Sequence, residues 1–408
     1  MNNKAEIPSR AVILGLSPSG LYLAREYADA GIEVIAIHDS SVSSLYSRNL
    51  RGAEVSIVRN DDELERYLLG LEGNRTALFP TSDRYIEFIT KRFTLLSRSF
   101  TFPVCYSPEH YSMLLDKERF YQTCEKAGVA YPKRIPLPTN GDWTAAVSQN
   151  GKNILSCPFI VKPARLHEVL DVMSGRKVFH CNSEDDLKRL QYKLPQDRGG
   201  WIAQEAVTGA DTDIICIGGV RSRTDGSLKA LIAGRKIRQF PPGFGTASAL
   251  HISRNVLLPE LISAAERLLR NLSLSGMFEI EFKQDGKDGV WKVFEVNPRS
   301  ALWFQGARVA GVPVALQALQ EDHTIAFSNE KEVFWRSGLK DLISRVYYAS
   351  GRNRGRFPSP DRTQAMKAAG SRKAWAYGEP GDWRVSVIET AILAKKAARR
   401  LFKWVFQR

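Results

Sequence analysis

The chain has 408 residues, 43% of them apolar and 25% charged, the values of a globular protein long enough for two or three domains of ~100–200 residues. Disorder as the main state is excluded. The formal net charge of +14 is uneven: residues 331–408 hold 18 Lys and Arg against 6 Asp and Glu, so the first 330 residues are nearly neutral, which argues against nucleic acid as a partner of the main body.

Five cysteines (Cys105, Cys124, Cys157, Cys181 and Cys216) show no Cys-x-x-Cys pair and no histidine at zinc-ligand spacing. That pattern argues against a disulfide framework or a zinc site and points to a reducing, cytoplasmic setting. The first ten residues lack the apolar stretch of a signal peptide, and no apolar run reaches the ~20 residues that span a bilayer.

In chain order, Ala11–Leu14 reads as a short strand, Gly15–Gly20 as a turn, the stretch to Ala30 as a helix closed by Gly31, and Glu33–Ile37 as a second strand. A strand at Glu54–Val58, a helix opening at Asp61 and a strand at Ala77–Phe79 continue the alternation, which predicts a parallel, doubly wound sheet. A helical region opens at Ser107, and a helix from Asp116-Lys117 to Lys126 is stopped by Gly128 and Pro132. After a connection carrying Pro132, Pro136 and Pro138, Phe159–Lys162 is an apolar strand ending on a lysine, and Trp201–Val207 is another strand. Gly276–Gln284 and Val290–Val296 form a hairpin around Asp-Gly-Lys-Asp-Gly. Residues 351–356 read as a basic loop. The stretch from Val387 to Arg408 reads as an amphipathic helix, with Lys395, Lys396, Arg399, Arg400 and Lys403 on one side and Ala394, Leu401, Trp404 and Val405 on the other.

The hairpin carries the strongest chemical signal. With Glu281 opposite Glu295, Phe282, Phe294, Ile280 and Val296 make one apolar face, and Glu279, Glu281, Glu295 and Asn297 share the other. Like charges across a strand pair repel. Such a face is either a solvated outer surface or a site for a hard cation, because oxygen ligands suit Mg²⁺. Pro298 ends the strand, and Arg299 emerges beside the cluster with a guanidinium suited to phosphate or carboxylate.

Glu281, followed by Phe-Glu-Val-Asn-Pro-Arg at Phe294–Arg299, resembles the C-terminal signature of the ATP-grasp superfamily, and the chain looks closest to its carboxylate–amine ligases. The resemblance runs from about Ala11 to Gln320. It implies an α/β (α+β ATP-grasp) fold: a Rossmann-like parallel-sheet domain over residues 1–110, a two-lobed ATP-grasp domain over 111–330 with a lid lobe at about 155–205, and a basic C-terminal region over 331–408 with its helix at 387–408. It implies ATP and Mg²⁺, with Mn²⁺ as a substitute, and a metal held by Glu281, Glu295 and Asn297. Arg299 would contact the reacting phosphate or carboxylate. Phe159–Pro163 resembles the strand bearing a phosphate lysine, here Lys162, and Leu115–Phe120 the earlier lysine position, here Lys117. Ala203–Asp211 resembles the adenine hinge, which implies nucleotide contacts from Gln204, Glu205 and Val207 and ribose contacts from Asp211. The sequence departs from the family at the phosphate loop: residues 164–177 hold Gly175 alone, so Arg176 and Lys177 would close over the phosphates. Gly234–Gly245 combines cations with a turn and reads as a loop whose Arg235, Lys236 and Arg238 would receive an anionic acid; a solvated basic loop is the other reading.

The implied reaction joins a small-molecule or lipid-linked carboxylate to an amine through an acyl phosphate, with release of ADP and phosphate. The basic C-terminal helix would dock on an anionic membrane surface at the inner face of the membrane or pack on the protein's own body. Two other readings stand beside this one. Gly15, Ser17 and Gly20, with Asp39 about twenty residues on, approach the dinucleotide pattern of an NAD(P)-dependent oxidoreductase, except that Ser17 stands where the second glycine belongs. The weak phosphate loop allows a non-catalytic ATP-binding, membrane-associated protein, and the same fold also admits carboxylation or other acyl-phosphate chemistry.

Overall fold

In the computed structural model, residues 8–40, 42–50, 53–71, 76–104, 108–149, 152–164, 178–195, 200–241, 245–320, 331–349, 364 and 368–406 are described. The chain divides into two compact units, neither of them consecutive in sequence: Met1–Tyr111 with Ala210–Glu281 and Val296–Arg408, and Ser112–Gly209 with Phe282–Glu295.

The first unit opens with β1 (Arg10–Leu14), α1 (Pro18–Asp29), β2 (Glu33–His38), β3 (Glu54–Ile57), α2 (Asp61–Leu69), β4 (Thr76–Pro80), α3 (Asp83–Lys91), α4 (Phe93–Leu96) and β5 (Phe100–Thr101). Its sheet runs β3-β2-β1-β4-β5, parallel throughout, as the βα alternation predicts. The central strand is fully buried from Ala11 to Leu14, which is why it reads as an unbroken apolar run rather than an alternating one. Gly15 has φ +97, and a Cβ on Gly20 would stand 1.9 Å from the Gly15 carbonyl oxygen. Both glycines are therefore demanded by the turn itself and carry no separate information about a dinucleotide.

The same unit holds most of a seven-stranded sheet in the order β16-β15-β12-β13-β14-β17-β18. Its strands are β12 (Ile214–Arg221), β13 (Leu228–Phe240), β14 (Thr246–Ile252), β15 (Gly276–Gln284), β16 (Trp291–Asn297), β17 (Val333–Arg336) and β18 (Arg372–Trp375). The borders between the units fall inside β15 and β16. Helices α9 (Pro259–Asn271), α10 (Phe304–Ala310), α11 (Val314–Leu319), α12 (Leu339–Ala349) and α13 (Trp383–Phe406) complete the unit.

The second unit contains α6 (Lys117–Lys126), β6 (Arg134–Leu137), α7 (Trp143–Val147), the small hairpin β7–β8 (Ser148–Gln149 and Lys152–Asn153), β9 (Phe159–Pro163), β10 (Phe179–Cys181), α8 (Glu184–Lys193) and β11 (Trp201–Glu205). The border between the units crosses a further helix, α5 (Pro108–Leu115). The sheet order is β10-β9-β11-β6. Its core packs Phe159 and Val161 with Trp201, Ala203, Trp143 and Leu187. β6 corrects the proline-rich connection expected there. Pro136 stands opposite Ile202 on an edge strand, where a missing N–H costs no ladder bond.

Helix α13 begins four residues before the expected Val387. Asp382, just ahead of it, accepts from Arg25 Nη2 at 2.8 Å and from the Arg48 amide at 3.0 Å. Val385 is fully buried, and Glu389 accepts from Ser43 at 2.8 Å. The start of the helix thus packs on the protein's own body. Its side chains from Lys396 onward, and the basic run 351–356, lie outside the described residues.

Candidate active site

In the second unit, alternation along β9 sends Phe159 and Val161 into the core and Lys162 to the opposite face, which it shares with Gln204 of β11. Helix α6 covers that face with Tyr121, fully buried. Lys162 Nζ donates to the Tyr121 hydroxyl at 3.0 Å, and that hydroxyl donates to Gln204 Oε1 at 2.8 Å. Tyr121 also stacks on Tyr131, with centroids 5.2 Å apart. Removal from water pulls Lys162 down to about 8; the charge of Glu295 opposes this and that of Arg134 adds to it. The lysine is a cation held by a neutral phenol, in a setting that favours an incoming anion.

Glu205 closes β11. Its Oε2 accepts from the Lys133 amide at 3.1 Å and from Lys292 Nζ at 3.2 Å. Val207, nearly buried, offers its carbonyl to Lys283 Nζ at 3.0 Å, and the same ammonium reaches the Gly209 carbonyl at 3.1 Å. The hairpin turn is tied to this segment: Thr208 Oγ1 donates to Asp285 Oδ1 at 2.7 Å and Lys292 Nζ to Asp285 Oδ2 at 2.7 Å. Burial alone would raise the Asp285 carboxyl, but these bonds outweigh it and hold the group down at about 2. Lys117 opens α6 with its side chain outside the described residues, and Lys177 lies outside them altogether.

In the first unit, Glu279 and Glu281 lie two apart on β15 and so share a face, and their ligand atoms lie within 4.8 Å of each other and of Cys216 Sγ on β12. Glu279 works as a clamp. Its Oε1 accepts from Trp303 Nε1 at 2.5 Å and its Oε2 from Asn297 Nδ2 at 3.1 Å. This fixes the amide so that Asn297 Oδ1 is the oxygen presented, and Arg299 Nη2 donates to it at 3.0 Å. Arg299 Nε donates to Asp83 Oδ1 at 3.0 Å. Glu281 Oε2 accepts from Lys236 Nζ at 2.8 Å. Burial would lower Lys236, but the charge of Glu281 prevails and the ammonium is raised. Burial pushes the Cys216 thiol well up, so it stays protonated and is a poor ligand. The carboxylate and amide oxygens of Glu281 and Asn297 fit a hard cation such as Mg²⁺, with Glu279 orienting the second of them.

Residues 235, 236 and 238 are corrected in their local structure. They belong to the long strand β13. Arg235 donates to the Thr212 carbonyl at 2.7 Å, Lys236 is 1% exposed, and Arg238 pairs with Asp341 at 2.6 Å. Register shifts around Lys236 and Arg238 break the period of two, which is why the run reads as irregular. Asp211 is buried as well. It accepts from the Gln239 amide at 3.0 Å, from Gln239 Nε2 at 2.7 Å and from the Tyr348 hydroxyl, bonds that brace it from within the unit.

The fold so described has counterparts among solved structures. The ADP complex of PurK, an N5-carboxyaminoimidazole ribonucleotide synthetase, superposes with a TM-score of 0.63 at 15% identity, over 86% of this chain and 88% of that one. At that identity the likeness is one of fold. A second counterpart, the L-amino acid ligase of Bacillus licheniformis, gives a TM-score of 0.56 at 15% identity over 78% of this chain and 74% of that one. In sequence, the D-aspartate ligase of Enterococcus faecium (strain Aus0004) is 25% identical over 252 residues, which are 59% of this chain and 55% of the ligase. The chain thus spans about half the length of the curated relative it matches. No family model matches the sequence.

Several residues of this chain escape sequence reasoning. Tyr121, Trp303 and Lys292 act through contacts with residues 41, 24 and 87 positions away, and no local pattern marks them. Lys283 and Lys292 lie on the two arms of the hairpin, and only the folded chain shows which groups they meet.

Proposed function

We propose that this chain is an ATP-dependent carboxylate–amine ligase. The observation that carries the reading is the run Trp303–Glu279–Asn297–Arg299, which orients an amide oxygen and a guanidinium beside a second glutamate. Glu281, Glu295 and Asn297 would hold Mg²⁺, for which Mn²⁺ would substitute; the ion, when bound, neutralises charge on the phosphates. Lys162 supplies a positive charge to the phosphates, and the segment Gln204–Val207 receives the adenine.

In the proposed reaction an oxygen of the substrate carboxylate attacks the γ-phosphorus of ATP, and ADP leaves. The resulting acyl phosphate is attacked at carbon by the amine. Phosphate departs with the C–O bonding pair, and the new amide nitrogen gives up a proton to solvent. Such chemistry needs positioning and charge neutralisation more than a nucleophilic side chain. Two of the comparators are by name ligases of amino acids, which supports an amino acid as one substrate. The oxidoreductase reading loses ground because Gly15 and Gly20 are explained by the turn, and Asp39 is paired with Arg84.

A cytoplasmic setting, with the basic C-terminal helix against an anionic membrane surface and a lipid-linked substrate within reach, completes the proposal. Among the described residues no helix is long and apolar enough to cross a membrane. The test is amine-dependent release of phosphate from ATP across a panel of amino acids. Glu295→Gln is expected to abolish it while leaving the melting curve unchanged; full turnover by that variant would overturn the metal assignment.

A further inference from the structure

A cavity of about 600 Å³ lies in the first unit, among α10, the start of α12, β18 with the loop after it, and the first turns of α13. None of the residues assigned to ATP or metal lines it, so the inference goes beyond the ligase reading. The volume is that of a small-molecule pocket, about 300–1,000 Å³.

Its walls are apolar: Val309, Leu339, Leu342, Trp375, Trp383 and Leu393. Three of them stay open to water, with Leu342 55%, Trp375 37% and Trp383 64% exposed. Large apolar side chains grouped around one cavity mark a binding surface, whereas scattered ones do not. The guanidinium of Arg336 lies 4.1 Å from the Trp375 ring centroid and holds that wall in place.

The charges around it are sorted by sign. The acids are turned inward. Glu379 is taken by Arg308 at 2.7 Å, Asp382 by Arg25 at 2.8 Å and Asp341 by Arg238 at 2.6 Å, while Glu389 accepts from Ser43. The cations are turned outward: Lys373 on the rim is exposed, as are Arg372 beside it and Arg384 on α13, and Lys340 on the rim is half-buried. An apolar hollow with a cationic rim matches one kind of ligand, an apolar chain ending in an acid.

We propose that this cavity binds one molecule of an anionic amphiphile, an alkyl-chain carboxylate or phosphate, with its chain between Trp375 and Trp383 and its head at Lys373 and Lys340. The ligand could come from solution or from a bilayer leaflet, and the test separates the two.

The full-length chain is titrated with dodecanoate below its micelle concentration, followed by calorimetry and tryptophan fluorescence. Parallel arms use dodecyltrimethylammonium and vesicles of phosphatidylglycerol with phosphatidylcholine. Saturable one-to-one binding of dodecanoate, at least tenfold tighter than that of the cationic amphiphile, is the expected result. Leu342→Asp, at an exposed position that the fold tolerates, should weaken dodecanoate at least tenfold with an unchanged melting temperature. Lys373→Glu should weaken it several-fold and leave neutral dodecanol unaffected. Saturation by vesicles as well would identify the leaflet as a source. Vesicle binding without free dodecanoate binding, equal affinity for both head groups, or indifference to Leu342→Asp would each overturn the proposal.

Discussion

Two sites, one in each unit, hold their buried charges in opposite ways. In the first, each charged group of the hairpin cluster has an internal counterpart: Lys236 for Glu281, Trp303 and Asn297 for Glu279. In the second, Lys162 has a neutral phenol as its hydrogen-bond partner and is drawn down to about 8 by the loss of water. A satisfied network rigidifies what it contains. An under-compensated cation is costly while alone and rewarded when an anion arrives. The first arrangement is built for geometry, the second for attraction.

Breaking the geometry should have the largest effect. Arg299→Ala is expected to cut amine-dependent phosphate release by roughly 100- to 1,000-fold, the scale for removing one group that stabilises developing charge. ATP affinity should change much less; a parallel loss of affinity would mean that Arg299 serves binding only. Breaking the attraction should separate stability from function. Lys162→Met is expected to weaken ATP at least tenfold, read by calorimetry, and to stabilise the free protein by roughly 1–3 kcal/mol because a buried ammonium is removed.

The pH dependence sharpens the same contrast. Lys162 is protonated below about 8 in the folded chain, so the KM for ATP should rise about tenfold per unit once the pH exceeds that value. Its folded value is depressed, so the cost of burying the charge is felt below about 8 and fades as the pH rises toward the unfolded value. Lys162→Met should lose both trends.

The smallest effect concerns a group away from the chemistry. Glu26 on α1 is buried and raised to about 7, chiefly by loss of water, with the Leu316 amide and Tyr22 opposing the shift. Because its folded value is raised, the folded chain binds the extra proton between the unfolded value and about 7. Stability should therefore fall as pH rises through that window and stay low above it. Glu26→Gln is expected to flatten the trend and to stabilise the chain at pH 8 by roughly 2–3 kcal/mol, read by urea unfolding at several pH values.

Much of this was legible in the amino acids. The parallel sheet follows from apolar runs of strand length between helical stretches, and the hairpin from its Asp-Gly turn with alternation on both arms. Lys162 stands out because it ends an apolar strand. What could not be read is of two kinds. β6 carries a proline, which speaks against a strand unless one knows that it lies at an edge. The partners of Asp211 and Arg238 are Gln239, Tyr348 and Asp341, and no spacing in the sequence marks those contacts.

The course of the backbone through the two units has a practical side. The chain enters the second unit at Ser112, leaves after Gly209, returns at Phe282 and leaves again after Glu295. No single start and stop codon delimits either body, so a gene fragment cut at either border would encode parts of both and the whole of neither. Dissection of this protein therefore belongs to point substitution, and a truncated product that fails to act would say nothing about where the activity resides.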